Sequence, residues 1–252
     1  MSKTIAIAGK GGTGKTTIAA LLIKLLSSRG TVLAIDGDPS SNLNLALGLP
    51  LAETVGSVRE EMASKVRKGK FEAGVSKPDY IEYKIRESLV ESDRIDLLAM
   101  GRPEGPGCYC AANNMLRESI DRLASNYDFV VIDNEAGMEH ISRQTTRDVD
   151  VLLIIAEPSV RSVITAGQIK ELIKELRTHV DKIALVINRA NGSLSPEIQK
   201  QVAATGLEIM AQIPLDPKIA ALDARGTPIV ELSQDSVASR TVHDIAVRTG
   251  LL

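Results

Sequence analysis

Gly9-Lys10-Gly11-Gly12-Thr13-Gly14-Lys15-Thr16-Thr17 satisfies the spacing G-x-x-x-x-G-K-[ST] and sets a second lysine, Lys10, inside the glycine-rich stretch. Glycines let successive backbone N–H groups turn inward around phosphate oxygens, and a helix leaving such a loop adds the positive end of its dipole. The pattern predicts that Gly11, Gly12, Thr13, Gly14, Lys15, Thr16 and Thr17 cradle a nucleoside triphosphate. Lys15 would reach the β and γ phosphates, and the Thr16 hydroxyl would ligate Mg2+.

Three other strand-end positions carry suitable chemistry, because ligands of open parallel sheets lie beyond the carboxyl ends of the strands. Phe129-Val130-Val131-Ile132 runs into Asp133, the form expected of an acid that orients Mg2+ or its waters. Asp36-Gly37-Asp38-Pro39-Ser40 places carboxylates on a turn able to face a γ phosphate, where one could position an attacking water. Ala184-Leu185-Val186-Ile187 leads into Asn188-Arg189-Ala190-Asn191, and an Asn amide there could bond a purine edge. A guanine site would want a carboxylate where Asn191 stands, so ATP and ADP are the expected nucleotides.

The only two cysteines, Cys108 and Cys110, end a Gly- and Pro-rich stretch from Gly101, within an expected loop over 101–112. A helix expected to begin near Asn113 would favour thiolate through its dipole. Two thiolates fill half of a tetrahedral site, and a symmetric dimer would supply four, a set suited to Zn2+, Ni2+ or an iron–sulfur cluster. His140, His179 and His243 read as surface or structural residues.

Positioning these groups requires a particular frame. Apolar runs at Thr4–Ala8, Val32–Ile35, Ile95–Met100, Phe129–Ile132, Val151–Ala156, Ile183–Ile187 and Leu207–Ile213 alternate mostly with helical patterns, including a long one over 159–177. That alternation predicts an α/β fold, a doubly wound, mostly parallel sheet flanked by helices, as a single domain over 1–252. The stretch from about 50 to 92 is the least regular and should form helices over the strand edges. Its Lys65, Arg67, Lys68 and Lys70, interspersed with Glu60, Glu61 and Glu72, read as a solvated face.

The chain has 252 residues, 44% of them hydrophobic, with no Trp, two Phe and four Tyr, so the core must be built from Ile, Leu, Val and Ala. A formal net charge of −2 gives no general pull toward nucleic acid or anionic membrane. With no long apolar run and an N-terminus that leads directly into a strand, the protein is expected in the cytoplasm, and two cysteines are too few for a disulfide framework.

Lys10, Asp38 before a proline, Asp133 and Asn188 together resemble the deviant P-loop ATPases, which include the nitrogenase iron protein and the MinD and ParA ATPases. The resemblance implies a homodimer facing itself across two ATP molecules, with Lys10 reaching phosphates held by the opposite subunit. By the same resemblance Asp38 orients the hydrolytic water, Thr16 holds Mg2+ with Asp133 acting through water, and Asn188 and Arg189 contact the nucleotide. Lys10, Lys15 and Asp38 would then be the catalytic residues. Asn134 stands where some of these ATPases place a glutamate, and Glu135, Glu139 and His140 read as second-switch residues.

With the cysteine loop, and with Asp133-Asn134-Glu135-Ala136-Gly137-Met138-Glu139-His140, the chain looks like the CooC-type nickel-insertion ATPases. That likeness implies an ATPase that delivers nickel to carbon monoxide dehydrogenase or a related nickel enzyme. Two alternatives stay open. A MinD- or ParA-like positioning ATPase without metal would want a basic amphipathic tail, and Ser236–Leu252 offers only Arg240 and Arg248. An iron–sulfur redox protein is the other. Neither nucleic acid nor membrane is an expected partner.

Overall fold

The computed structural model describes residues 2–51, 53–68, 76–101, 110–135, 148–176 and 179–252. In chain order the elements are β1 (Lys3–Gly9), α1 (Lys15–Ser27), β2 (Val32–Asp36), α2 (Leu43–Leu47), α3 (Val55–Arg67), α4 (Lys77–Glu87), β3 (Ile95–Ala99) and α5 (Cys110–Ala124). There follow β4 (Phe129–Asp133), β5 (Asp148–Ala156), α6 (Val160–Leu176), β6 (His179–Asn188), α7 (Pro196–Thr205), β7 (Ile209–Ile213), α8 (Pro217–Arg225), a 3-10 turn (Ile229–Glu231) and α9 (Val237–Thr249).

The strands form one seven-stranded sheet in the order β3-β2-β4-β1-β5-β6-β7, and neighbouring strands pair in parallel throughout. The first strand therefore lies at the centre, and Ile5 to Ala8 are fully buried because both of its faces are covered. On one face, Ile5 and Ile7 join the apolar sides of α1, α2 and α9. On the other, Ala6 and Ala8 pack with α6 and α7, while Leu33, Ile35, Val130 and Ile132 meet α3, α4 and α5. Each fully buried Ile or Leu contributes about 1.5–3 kcal/mol, so the aliphatic core holds the sheet without tryptophan.

Two boundaries differ from expectation. The helix after β3 begins at Cys110 rather than near Asn113, so the last three residues of the expected 101–112 loop are helical. Ala111 and Ala112 are the strongest helix formers available and extend the helix back toward the Gly-Pro run. The seventh strand begins at Ile209 rather than Leu207, because α7 ends in the left-handed cap Gly206, φ 61°, and the chain is still turning there. Helices α3 and α4 do cover the β2–β3 edge of the sheet.

Sheet register fixes the site. Asp36 lies opposite Asp133, and Ile7, two residues before the end of β1, lies opposite Asp133 on its other side. Both carboxylates thus stand beside the glycine loop that follows β1.

Candidate nucleotide site

The loop between β1 and α1 closes on a single carbonyl. Lys10 O accepts from the Thr13 hydroxyl at 2.9 Å, from the Thr13 N–H at 3.4 Å and from Lys15 Nζ at 3.3 Å. Two glycines make the path possible. A Cβ at Gly9 would stand 2.2 Å from Ile155 O, and Gly14, at φ 90°, would place one 2.3 Å from Asn188 Nδ2. Lys10, Gly11 and Gly12 are exposed at the tip, whereas Thr13 and Lys15 are buried. Burial lowers the Lys15 pKa, and the carboxylates of Asp133, Asp38 and Glu135 act against that shift. A cation held at the mouth of an N–H-lined loop without a full counter-ion is a site for an oxyanion.

The flank toward β2 and β4 is acidic. The Thr16 hydroxyl donates to Asp133 Oδ2 at 2.6 Å, while Asp133 Oδ1 is buried and has no hydrogen-bond partner among the described residues. Burial pushes the Asp133 carboxyl up to about 7; the Thr16 bond opposes this and the neighbouring Asp36 reinforces it. Asp36 is itself buried, and burial raises its pKa although it accepts from the backbone N–H groups of Leu43 at 2.9 Å and Asp38 at 3.0 Å. These bonds shape the turn that carries half-buried Asp38, whose Oδ1 accepts from the Ser40 N–H at 2.8 Å. Gly37 N–H donates to Asp133 O at 2.8 Å and so ties that turn to β4. Asn134 hangs from Ile7 O through its own N–H at 3.0 Å and its Nδ2 at 2.9 Å, and its buried Oδ1 has no partner among the described residues.

The flank toward β5 and β6 is a clamp. Asn188 Nδ2 donates to Thr13 O at 2.7 Å, and Asn188 Oδ1 accepts from the Arg189 N–H at 3.0 Å. Arg189 Nη1 donates to Gly12 O at 3.0 Å and to Glu157 Oε1 at 2.7 Å. The Arg189 backbone takes the left-handed φ of 58°, unusual for a side chain of this size. Two loop carbonyls are thereby held by the clamp, while the Thr13 N–H between them turns back to Lys10 O.

The structure thus gathers Lys15, Thr16, Asp38, Asp133, Asn188 and Arg189 around one loop, with Thr17 half-buried on α1. The Asn188 amide here is directed at the loop itself rather than left open at the strand end. Glu157 escaped sequence reasoning, although it follows the apolar run of β5 as Asp133 follows that of β4. Cys108, Glu139 and His140 lie outside the described residues, and Cys110 is placed only by its backbone, in the first turn of α5. Among the described residues no group of three or more His, Cys, Asp or Glu stands together as a metal site. His179 and His243 are exposed beside Asp181 and Asp244. Among the described residues no helix is long and apolar enough to cross a membrane.

Comparison with known proteins agrees with this geometry. The family model CbiA, the CobQ/CobB/MinD/ParA nucleotide binding domain, matches residues 4–229. An uncharacterized ATP-binding protein of Methanocaldococcus jannaschii is 44% identical over 243 residues, 96% of either chain. The carbon monoxide dehydrogenase accessory protein CooC of Rhodospirillum rubrum is 34% identical over 244 residues, 91% of this chain and 90% of that one. The septum site-determining protein MinD of Pyrococcus horikoshii, solved with Mg-ADP, shares the fold with a TM-score of 0.68 at 22% identity, over 98% of this chain and 96% of that one. The chain belongs to the CobQ/CobB/MinD/ParA family of nucleotide-binding ATPases.

Proposed function

We propose that this ATPase is a metallochaperone of the CooC kind: ATP binding closes a homodimer, Cys108 and Cys110 of both copies hold one transition-metal ion, and hydrolysis releases that ion to a nickel enzyme. The observation that carries the nucleotide half is the unpartnered Asp133 Oδ1 next to the Thr16 hydroxyl. Mg2+ fits these residues. Because Thr16 already donates its proton to Asp133, its oxygen lone pairs are available to a cation, and the second Asp133 oxygen is available to a water bound to that cation. Once bound, Mg2+ would neutralise charge on the phosphate oxygens.

The remaining roles fall to side chains of this chain. The Lys15 ammonium exchanges the Lys10 carbonyl for β and γ phosphate oxygens. The turn built on Asp36 presents Asp38 to orient the attacking water. Exposed Lys10 extends from the loop tip toward the nucleotide of the second copy. Asn188 and Arg189 hold the loop on the far side.

Support for the cargo comes from sequence. The only two cysteines are separated by one residue, a spacing able to direct both sulfurs at one ion, and CooC is similar over nine-tenths of each chain. Four thiolates from two copies would bind Ni2+ or Zn2+. The deciding experiment is metal content after reductive, anaerobic purification, with and without ATP. The expected result is one ion per two chains, lost in Cys108→Ala/Cys110→Ala while basal ATP hydrolysis persists. Metal content unaffected by that double variant would overturn the reading. A chain that binds ATP but no metal would be a MinD- or ParA-like positioning ATPase, and visible iron–sulfur absorbance would mark a redox protein.

A further inference from the structure

A cavity of about 420 Å³ opens between the last turns of α1 and the first turns of α9, at the end of α1 remote from the phosphate loop. Lys15 and Leu25 are ten residues apart on that helix, which sets the two sites about 15 Å apart along its axis. The floor of the cavity is apolar, from Leu21 and Leu25. Its rim is basic: Lys24 and Arg29 come from the α1 side, Arg240 and His243 from α9. Among the described residues Lys24 Nζ donates only to a neutral acceptor, Leu232 O at 2.7 Å, so its charge is not compensated there. Arg29 and Arg240 are exposed, and among the described residues neither guanidinium has an ion-pair or hydrogen-bond partner. The single carboxylate of the lining, Asp244, lies 3.8 Å from His243.

Three permanent cations gathered against one carboxylate, on a chain of net charge −2, are not a reflection of overall composition. Guanidinium forks recognise the oxygens of phosphate or carboxylate bidentately, and a concave site of a few hundred Å³ with an apolar floor suits a small organic molecule. We propose that this cavity binds a small amphiphilic oxyanion, its apolar body on Leu21 and Leu25 and its phosphate or carboxylate between Arg29 and Arg240. The site is separate from the nucleotide loop but rests on the same helix. An occupant bridging α1 and α9 would therefore stiffen the helix that carries Lys15 and Thr16.

The test is calorimetric titration of the full-length protein with 1-naphthyl phosphate, 1-naphthoate and neutral 1-naphthol, the phosphate loop being filled beforehand with saturating Mg·ADP. Saturable one-to-one binding of at least one anion is expected, at least tenfold weaker in Arg29→Glu/Arg240→Glu, with little uptake of naphthol. Tighter binding of the phosphate or of the carboxylate identifies the natural head group, and either result upholds the site. ADP affinity of the double variant, expected to match the unsubstituted protein, controls for folding. Absence of saturable anion binding, equal binding of naphthol, or anion binding untouched by the double variant with ADP affinity intact would overturn the proposal.

Discussion

The two flanks of the phosphate loop are built on opposite principles. Toward β5 and β6, Asn188, Arg189 and Glu157 satisfy one another and the carbonyls of Gly12 and Thr13. Toward β2 and β4, buried oxygens of Asp133, Asn134 and Ser41 have no partner among the described residues, and burial holds the Asp133 carboxyl at about 7. Unpaired buried polar atoms cost stability, so a fold keeps them where a ligand will complete them. The clamp flank shapes the loop, and the acidic flank waits for what the loop binds. Orphaned oxygens gathered on one side of the loop mark where a working site meets its ligand.

Substitutions can break this contrast, and the largest effect should come from the acidic mouth. Lys15→Ala removes the cation that meets the phosphates, and steady-state ATP turnover should fall about 10²–10³-fold. Melting of the nucleotide-free protein should show no loss of stability, because a desolvated charge has gone. A marked loss would assign Lys15 to the clamp. Next, Asp36→Asn leaves one acceptor oxygen for two backbone donors, Asp38 and Leu43. Chemical denaturation should show a loss of about 1–3 kcal/mol, the cost of an orphaned buried N–H.

On the clamp flank, Glu157→Gln weakens the hold on Arg189 by about 1 kcal/mol, which corresponds to a roughly fivefold rise in the nucleotide dissociation constant. Turnover at saturating ATP should be nearly unchanged; a fall in turnover comparable to that of Lys15→Ala would erase the distinction between the flanks. The smallest effect is expected far from the loop, where Glu61 meets Lys65 at 3.2 Å and Lys84 at 3.5 Å on a partly exposed surface. Denaturation of Glu61→Gln should show a change of less than about 1 kcal/mol, with ATP turnover unaffected.

How legible these features were depends on how local their causes are. All seven strands could be read in advance because buried parallel strands are short, largely apolar runs, a signal that Asp96 in β3 and Gln212 in β7 interrupt without erasing. The Lys10–Thr17 loop was legible because its phosphate geometry depends on residues adjacent in the chain. Asp133 stood out as an acid closing such a run, and Asp36 and Asp38 as carboxylates on the turn that ends another. Glu157 closes one too, yet its meaning depends on β5 lying between β1 and β6 and on the positive φ of Arg189, neither of which is local. The purine role expected for Asn188 was read without knowing that its amide would reach Thr13 O, 175 residues away. The α5 start was misplaced by three residues because Cys110 has no cap signature and the Ala pair after it decides the boundary.

The contrast between the flanks is tested most directly by the Mg2+ dependence of nucleotide-induced thermal stabilisation, compared between the unsubstituted protein and Asp133→Asn. With Asp133 Oδ1 in place, ADP with Mg2+ should raise the melting midpoint clearly more than ADP with a chelator. In Asp133→Asn the nucleotide-free protein should melt no lower, and the extra increment from Mg2+ should largely disappear. A full Mg2+ increment retained in Asp133→Asn, or a large loss of stability in that variant without nucleotide, would contradict the assignment of the acidic flank to ligand rather than to fold.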